Sequence, residues 1–178
     1  MNTQRKAEIA DQRTNYYWER VRKYGEQYKD FKWPLTELVL SLVYTHDIFM
    51  SNFHRVLFEF DLSMSAMNIL IILKYDEGEG FTQQALSDLL LVSRANVTKV
   101  IDGLEKRGLV IRNSSKEDRR TRVIKLTEAG KDLASRFMPK QNEYTARITN
   151  KLTKNEISLL NKLLTKFRKN IVESGKVK

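Results

Sequence analysis

Within two helical turns the chain places Ser93, Arg94, Asn96, Thr98 and Lys99. Val97, Val100, Ile101 and Leu104, with Ala95 in part, recur at helical spacing between Ser93 and Lys106 and take the inward side. The polar set is left on the outer face. Short polar side chains and cations near a helix N-terminus can bond base edges and phosphate oxygens, and the first amides of the helix themselves favour phosphate. The stretch from Arg94 to Lys125 carries ten Lys or Arg against four Asp or Glu, so about +6 of the net +10 formal charge is concentrated there. A generic basic surface would spread that charge. Its concentration points to a nucleic-acid partner.

Other chemistry finds little support. There is no Gly-rich phosphate loop, no metalloprotease helix motif and no nucleophile elbow, and Ser93 follows no glycine and is explained as a helix cap. An enzyme is not expected, nor a cofactor. The two histidines, His46 and His54, fall about two turns apart on one helix, with Asp47 and Glu59 near in sequence. No local cluster completes a metal site around them. The absence of cysteine excludes disulfides, thiolate metal sites and thiol-based redox sensing. The polar start lacks a signal-peptide core, and the longest apolar run, Asn68 to Leu73, is far too short to span a bilayer. The expected location is therefore the cytoplasm, with no membrane partner.

The elements that must position the polar helix can be read on either side of it. Arg5 to Asp30 reads as a helix with Ile9, Tyr16, Tyr17, Val21, Tyr24 and Tyr28 as its stripe, ended by Trp33-Pro34. Leu35 to Phe60 reads as a second helix capped by Thr36, apolar over so much of its circumference that partners on two sides are expected. Ser63 caps a core helix through about Tyr75, and Thr82 caps a short helix, Gln83 to Leu90. After the polar helix, Gly108 gives a stop and Leu109 to Arg112 suits a strand. The polar turn Asn113 to Asp118 and a returning strand, Arg122 to Leu126, complete a hairpin. Thr127-Glu128-Ala129-Gly130 opens a helix to about Asn150, which Pro139 should kink or break. Thr153 caps a last helix whose stripe is Ile157, Leu160, Leu163, Leu164, Phe167 and Ile171. The fold class is thus mainly α with a small β-hairpin wing: a winged helix-turn-helix. The expected divisions are an N-terminal helical arm at 1–34, a dimerisation helix at 35–62, a winged DNA-binding domain at 63–130 and C-terminal dimerisation helices at 131–178.

The run Leu91-Val92-Ser93-Arg94-Ala95-Asn96-Val97-Thr98-Lys99-Val100-Ile101-Asp102-Gly103-Leu104-Glu105-Lys106-Arg107-Gly108-Leu109-Val110 resembles the helix and strand start of the MarR family. Glu117-Asp118-Arg119-Arg120-Thr121-Arg122 and Lys125-Leu126-Thr127-Glu128-Ala129-Gly130 resemble that family's wing and the helix after it. The clear match spans about Leu62 to Leu133. The resemblance implies a homodimer whose N- and C-terminal helices interlock and whose two winged domains read palindromic double-stranded DNA, usually as a repressor. It implies that Asp118 orients the wing by pairing with a nearby Arg and that Arg120 enters the minor groove. Arg119 and Arg122 would contact phosphate, with Lys116 a further candidate.

Members of the family often bind small aromatic or anionic effectors between the dimer helices and the winged domain. Tyr44, His46, Phe49, Phe53 and Met67 are candidates by position, although each also suits plain core packing. The family usually begins near the second helix, so the first looks like an added arm. It could pack on the partner subunit, on its own subunit, or beside DNA through its basic residues. The alternative function is a winged helix used for protein contact without sequence-specific DNA binding. Binding to RNA or an anionic membrane through bulk charge is a third reading, and it predicts no sequence preference.

Overall fold

The computed structural model describes residues 15–76, 79–90, 93–114 and 120–175. The chain divides into two units, Met1–Phe53 and His54–Lys178.

In the first unit, residues 15–25 form helix α1. The part of the expected helix before residue 15 lies outside the described residues. The helix stops at Gly25 rather than at Asp30. The Phe31 ring lies against Gly25 so closely that a Cβ there would sit 2.3 Å from it. Residues 26–31 accordingly form turns, with Tyr28 N–H donating to the Gly25 carbonyl and Phe31 N–H to that of Tyr28. The expected stripe is also corrected. Tyr16, Tyr17, Tyr24 and Tyr28 are exposed, and Trp18, Val21 and Gly25 are the half-buried line.

Helix α2 (Trp33–Phe58) starts before Pro34, not after it. Proline lacks the N–H that a first-turn residue would leave unbonded anyway, so it opens this helix instead of blocking it. The Lys32 carbonyl accepts from both Leu35 and Thr36 N–H. Leu35, Leu38, Val39, Leu42, Val43 and Ile48 leave a broad apolar surface exposed on α2.

The second unit takes in the last turn of α2, which ends at Phe58 instead of Phe60. Its C-terminus is closed by Leu62 N–H on the Leu57 carbonyl and Asp61 N–H on that of Phe58, with Asp61 in the left-handed region at φ 50°. Ser63 then caps α3 (Met64–Lys74), its hydroxyl accepting from Ala66 N–H at 3.1 Å. Helix α3 is the centre of the core. Ala66, Met67, Ile69, Leu70 and Leu73 are buried against α4 (Gln83–Leu90), α5 (Arg94–Lys106), α6 (Glu128–Thr149) and β2 (Arg122–Leu126). Phe137 of α6 meets Phe60 edge to face, with ring centres 5.3 Å apart.

β1 (Val110–Ser114) pairs antiparallel with β2, from Val110 opposite Leu126 to Ser114 opposite Arg122. β1 thus starts one residue later than the alternation suggests, because Leu109 N–H is taken by the Leu104 carbonyl at the end of α5, and ends two later because the ladder continues to Ser114 opposite Arg122. Phe81 adds a bridge to Ile124, with N–H to carbonyl bonds of 3.1 and 2.8 Å. Helix α6 runs unbroken through Pro139. The lost backbone bond costs about 3 kcal/mol, and the burial of Leu133, Ala134, Phe137 and Tyr144 on either side offsets it. Helix α7 (Lys154–Ser174) opens with a capping box in which Thr153 and Glu156 bond each other's backbone N–H. It has no buried residue. Among the described residues no helix is long and apolar enough to cross a membrane.

Candidate nucleic-acid interface

Helix α5 is held by its inner face and offers its outer one. Val97, Ile101 and Leu104 are buried, whereas Ser93, Arg94, Ala95, Asn96 and Lys99 are exposed. Ser93 caps the helix, its hydroxyl accepting from Asn96 N–H at 3.3 Å. Thr98 has a different position. Its hydroxyl donates to the Arg94 carbonyl at 2.8 Å and accepts from Gln83 Nε2 at 3.2 Å, bracing α5 against α4. The exposed end of α5 therefore carries two cations and an amide over a helix N-terminus, a combination suited to phosphate oxygens and base edges.

The two acids of α5 face elsewhere. Arg112 on β1 donates to Asp102 at 2.5 Å through Nη2 and to Glu105 through Nη1. Partial burial pulls the Arg112 pKa down, but the hydrogen bond to Asp102 and the charges of both acids outweigh it and hold the guanidinium above its ordinary value. This fork fixes the root of the hairpin to α5. It also pairs off the negative charge of the helix, leaving the outer end to Arg94 and Lys99. Asp102 and Glu105 lie three residues apart on one helix face. That spacing was the available sequence signal for a bridging cation.

The other end of α5 is fixed as firmly. Gly108, at φ 67°, closes it with N–H bonds from Gly108 to Glu105 and from Leu109 to Leu104. Arg107, just before, donates to the carbonyls of Asp61 at 2.5 Å and Phe60 at 3.2 Å. Neither Arg107 nor Gln83 is a site residue that local sequence reading reveals, because their partners are distant in the chain. Thr127 donates its hydroxyl to the Gly108 carbonyl at 2.6 Å and its N–H to that of Leu109 at 3.1 Å. Here α6 comes so close that a Cβ at Gly130 would lie 2.0 Å from the Leu109 carbonyl oxygen. Only glycine fits, and the docking sets the base of the hairpin.

On the hairpin, Arg122 is exposed and its Nη1 donates to Ser114 Oγ across the strands at 3.3 Å. Arg120 is exposed near the tip. Lys116, Asp118 and Arg119 lie outside the described residues, and so does the expected pairing of Asp118 with an arginine.

The candidate ligand residues fall in both units. In the first unit, Tyr44 lines a cavity with Tyr16, Tyr17, Trp18 and Asp47. His46 is exposed with its Nδ1 3.2 Å from Asp47 Oδ1. Phe49 and Phe53 stack on each other at 5.3 Å, and Phe53 is buried. Met67 belongs to the core of the second unit. Among the described residues no group of three or more His, Cys, Asp or Glu could hold a metal ion.

Residues 62–121 match the family model described as "MarR family". The chain is 31% identical over 148 residues to the HTH-type transcriptional regulator PapX of Escherichia coli, covering 80% of this chain and 90% of that protein. Among solved structures, the S. aureus MepR–DNA complex superposes with a TM-score of 0.65 at 21% identity, covering 81% of this chain and 99% of that one. CouR from Rhodococcus jostii RHA1, solved with p-coumaroyl-CoA, superposes with a TM-score of 0.61 at 19% identity over 78% of this chain and 92% of that one.

Proposed function

The chain belongs to the MarR family of winged-helix transcription regulators, and from that premise we propose that it represses transcription as a homodimer bound to a palindromic DNA site. One observation carries the reading. The outer face of α5 shows Arg94, Asn96 and Lys99 beside a capped N-terminus, while its own acids are taken by Arg112. A helix so arranged suits the major groove, with Asn96 and Arg94 at base edges and Ser93 and Lys99 at phosphates. Thr98 acts as the brace between α4 and α5. Arg120 takes the minor groove flanking each half-site, and Arg119, Arg122 and Lys116 take phosphates. Asp118 orients the wing. The likeness in fold to MepR, which was solved with DNA, supports a DNA partner.

The exposed apolar surfaces of α2 and α7 support the dimer: each helix shows leucines that its own chain leaves in water. On this reading residues 35–62 and 131–178 form the dimerisation region, 63–130 the reading head and 1–34 an added arm. Occupancy of a promoter-proximal site by such a dimer excludes polymerase, which gives repression. A small ligand modulates occupancy by preferring one spacing of the two heads. The ligand in CouR supports that part.

The test is binding to the DNA upstream of its own gene, against scrambled DNA of equal length, across a salt series. Selective binding that weakens as salt rises is expected. Equal binding to both DNAs would leave only polyanion affinity, and no binding at any salt would favour the protein-contact alternative.

A further inference from the structure

The first unit contains a cavity that the DNA-reading machinery does not use. Its volume is about 480 Å³, within the range of small-molecule sites. Tyr16, Tyr17 and Trp18 of α1 form one wall. Tyr44 and Asp47 of α2, with Leu40 and Val43, form the other. Four of the seven lining residues are aromatic and the one charged residue is an acid.

This chemistry runs against the chain as a whole, whose net charge is +10. Aromatic faces carry negative potential and attract cations within about 6 Å. They offer an anion nothing, and Asp47 repels it. One ring of the set shows the preference already: the Arg20 guanidinium sits 4.3 Å from the centre of the Tyr16 ring. Arg20 is not among the residues lining the cavity.

We propose that this cavity is a binding site for a lipophilic organic cation, a quaternary ammonium or phosphonium whose charge faces Asp47, beside the His46 ring 3.2 Å from it, and whose apolar groups lie against Tyr17, Trp18 and Tyr44, since the Tyr16 ring already carries Arg20. The site is built from the arm, and it names a ligand class for the effector in the regulator reading above. Only its consequence for DNA binding rests on that reading.

The full chain provides a local reporter. The sequence has two tryptophans, so Trp33→Phe leaves Trp18 as the only one. Titration with tetraphenylphosphonium should change Trp18 emission saturably, and tetraphenylborate, of the same shape and opposite charge, should not compete. Asp47→Asn, at an exposed position, should weaken binding about three- to tenfold. Tyr44→Leu, which keeps apolar volume but removes the ring, should weaken it about threefold. No saturable change, an equal response in Asp47→Asn, or equal competition by the anion would overturn the site whatever the DNA does. Saturable Asp47-dependent binding that leaves DNA affinity unchanged would uphold the site and sever its link to regulation.

Discussion

Helix α3 buries five of its eleven residues, whereas α7, twenty-one residues long, buries none. Both are capped in the same way, by a hydroxyl accepting from the N–H three residues on. Local sequence therefore starts either helix equally well, and what differs is where the apolar face goes. Helix α3 is surrounded by α4, α5, α6 and β2 of its own chain. Helix α7 leaves Leu159, Leu160, Leu163 and Ile171 exposed. An isolated amphipathic helix is marginal in water, and most helical stability in proteins comes from packing its apolar face. The core of the second unit is thus built from α3 and its neighbours, while α7 leaves its apolar face uncovered.

Substitutions on the two sides of this contrast should fail in different ways. Ile69→Ala, at a fully buried position of α3, should cost about 3–5 kcal/mol of unfolding free energy in urea. A loss below about 1 kcal/mol would mean that α3 is not the centre of the core. Leu160→Asp with Leu163→Asp should leave that free energy nearly unchanged for the winged core but cost at least about 3 kcal/mol of association. Sedimentation at micromolar concentration should then show a monomer with the near-ultraviolet dichroism of the core retained. A dimer that survives both changes would place the interface elsewhere.

Arg120→Ala should weaken DNA binding by about 1–3 kcal/mol with fold and dimer intact, and undiminished affinity would take the wing out of the mechanism. The smallest effect belongs to the α7 cap. Hydrogen bonds from the Thr153 backbone and hydroxyl hold the Glu156 pKa below its ordinary 4.5. A depressed carboxylate contributes stability that is present above its unfolded value and lost as pH falls through its folded value. The difference in helicity between wild type and Glu156→Gln should therefore shrink as pH drops below about 4.5. A difference that does not vary with pH would deny the cap its carboxylate.

What the sequence made legible was whatever chemistry is local. Ser63, Thr82, Ser93 and Thr153 cap where their spacing to the next apolar run requires, and Gly108 stops α5. The inward face of α5 follows from helical periodicity alone. The misreadings arise where one residue type has two roles or where the partner lies beyond the local pattern. Pro34 looked like a boundary but sits where a helix tolerates it. Gly25 ends α1 because a ring from six residues on covers it. Phe81 pairs through a single residue, too short for any alternation to show. Arg107 and Arg112 look like two more cations of a basic stretch, yet each is spent inside the fold. Local charge counts cannot distinguish a cation that holds a scaffold from one that meets a ligand.

The grip of Arg107 on the turn at Phe60 and Asp61 fixes the C-terminal end of α5 to the end of α2. The other end is held too, by Val97 in the core and Thr98 on Gln83 of α4, so α5 moves only together with the helices that pack on it. Its thirteen residues make a rod roughly 20 Å long. A tilt of roughly 10° of that packed unit carries the exposed Ser93, Arg94 and Asn96 through about 3.4 Å relative to the Arg107 end, the rise of one nucleotide along a DNA strand. A rotation too small to disturb the packing of the unit is thus as large as one step of the DNA.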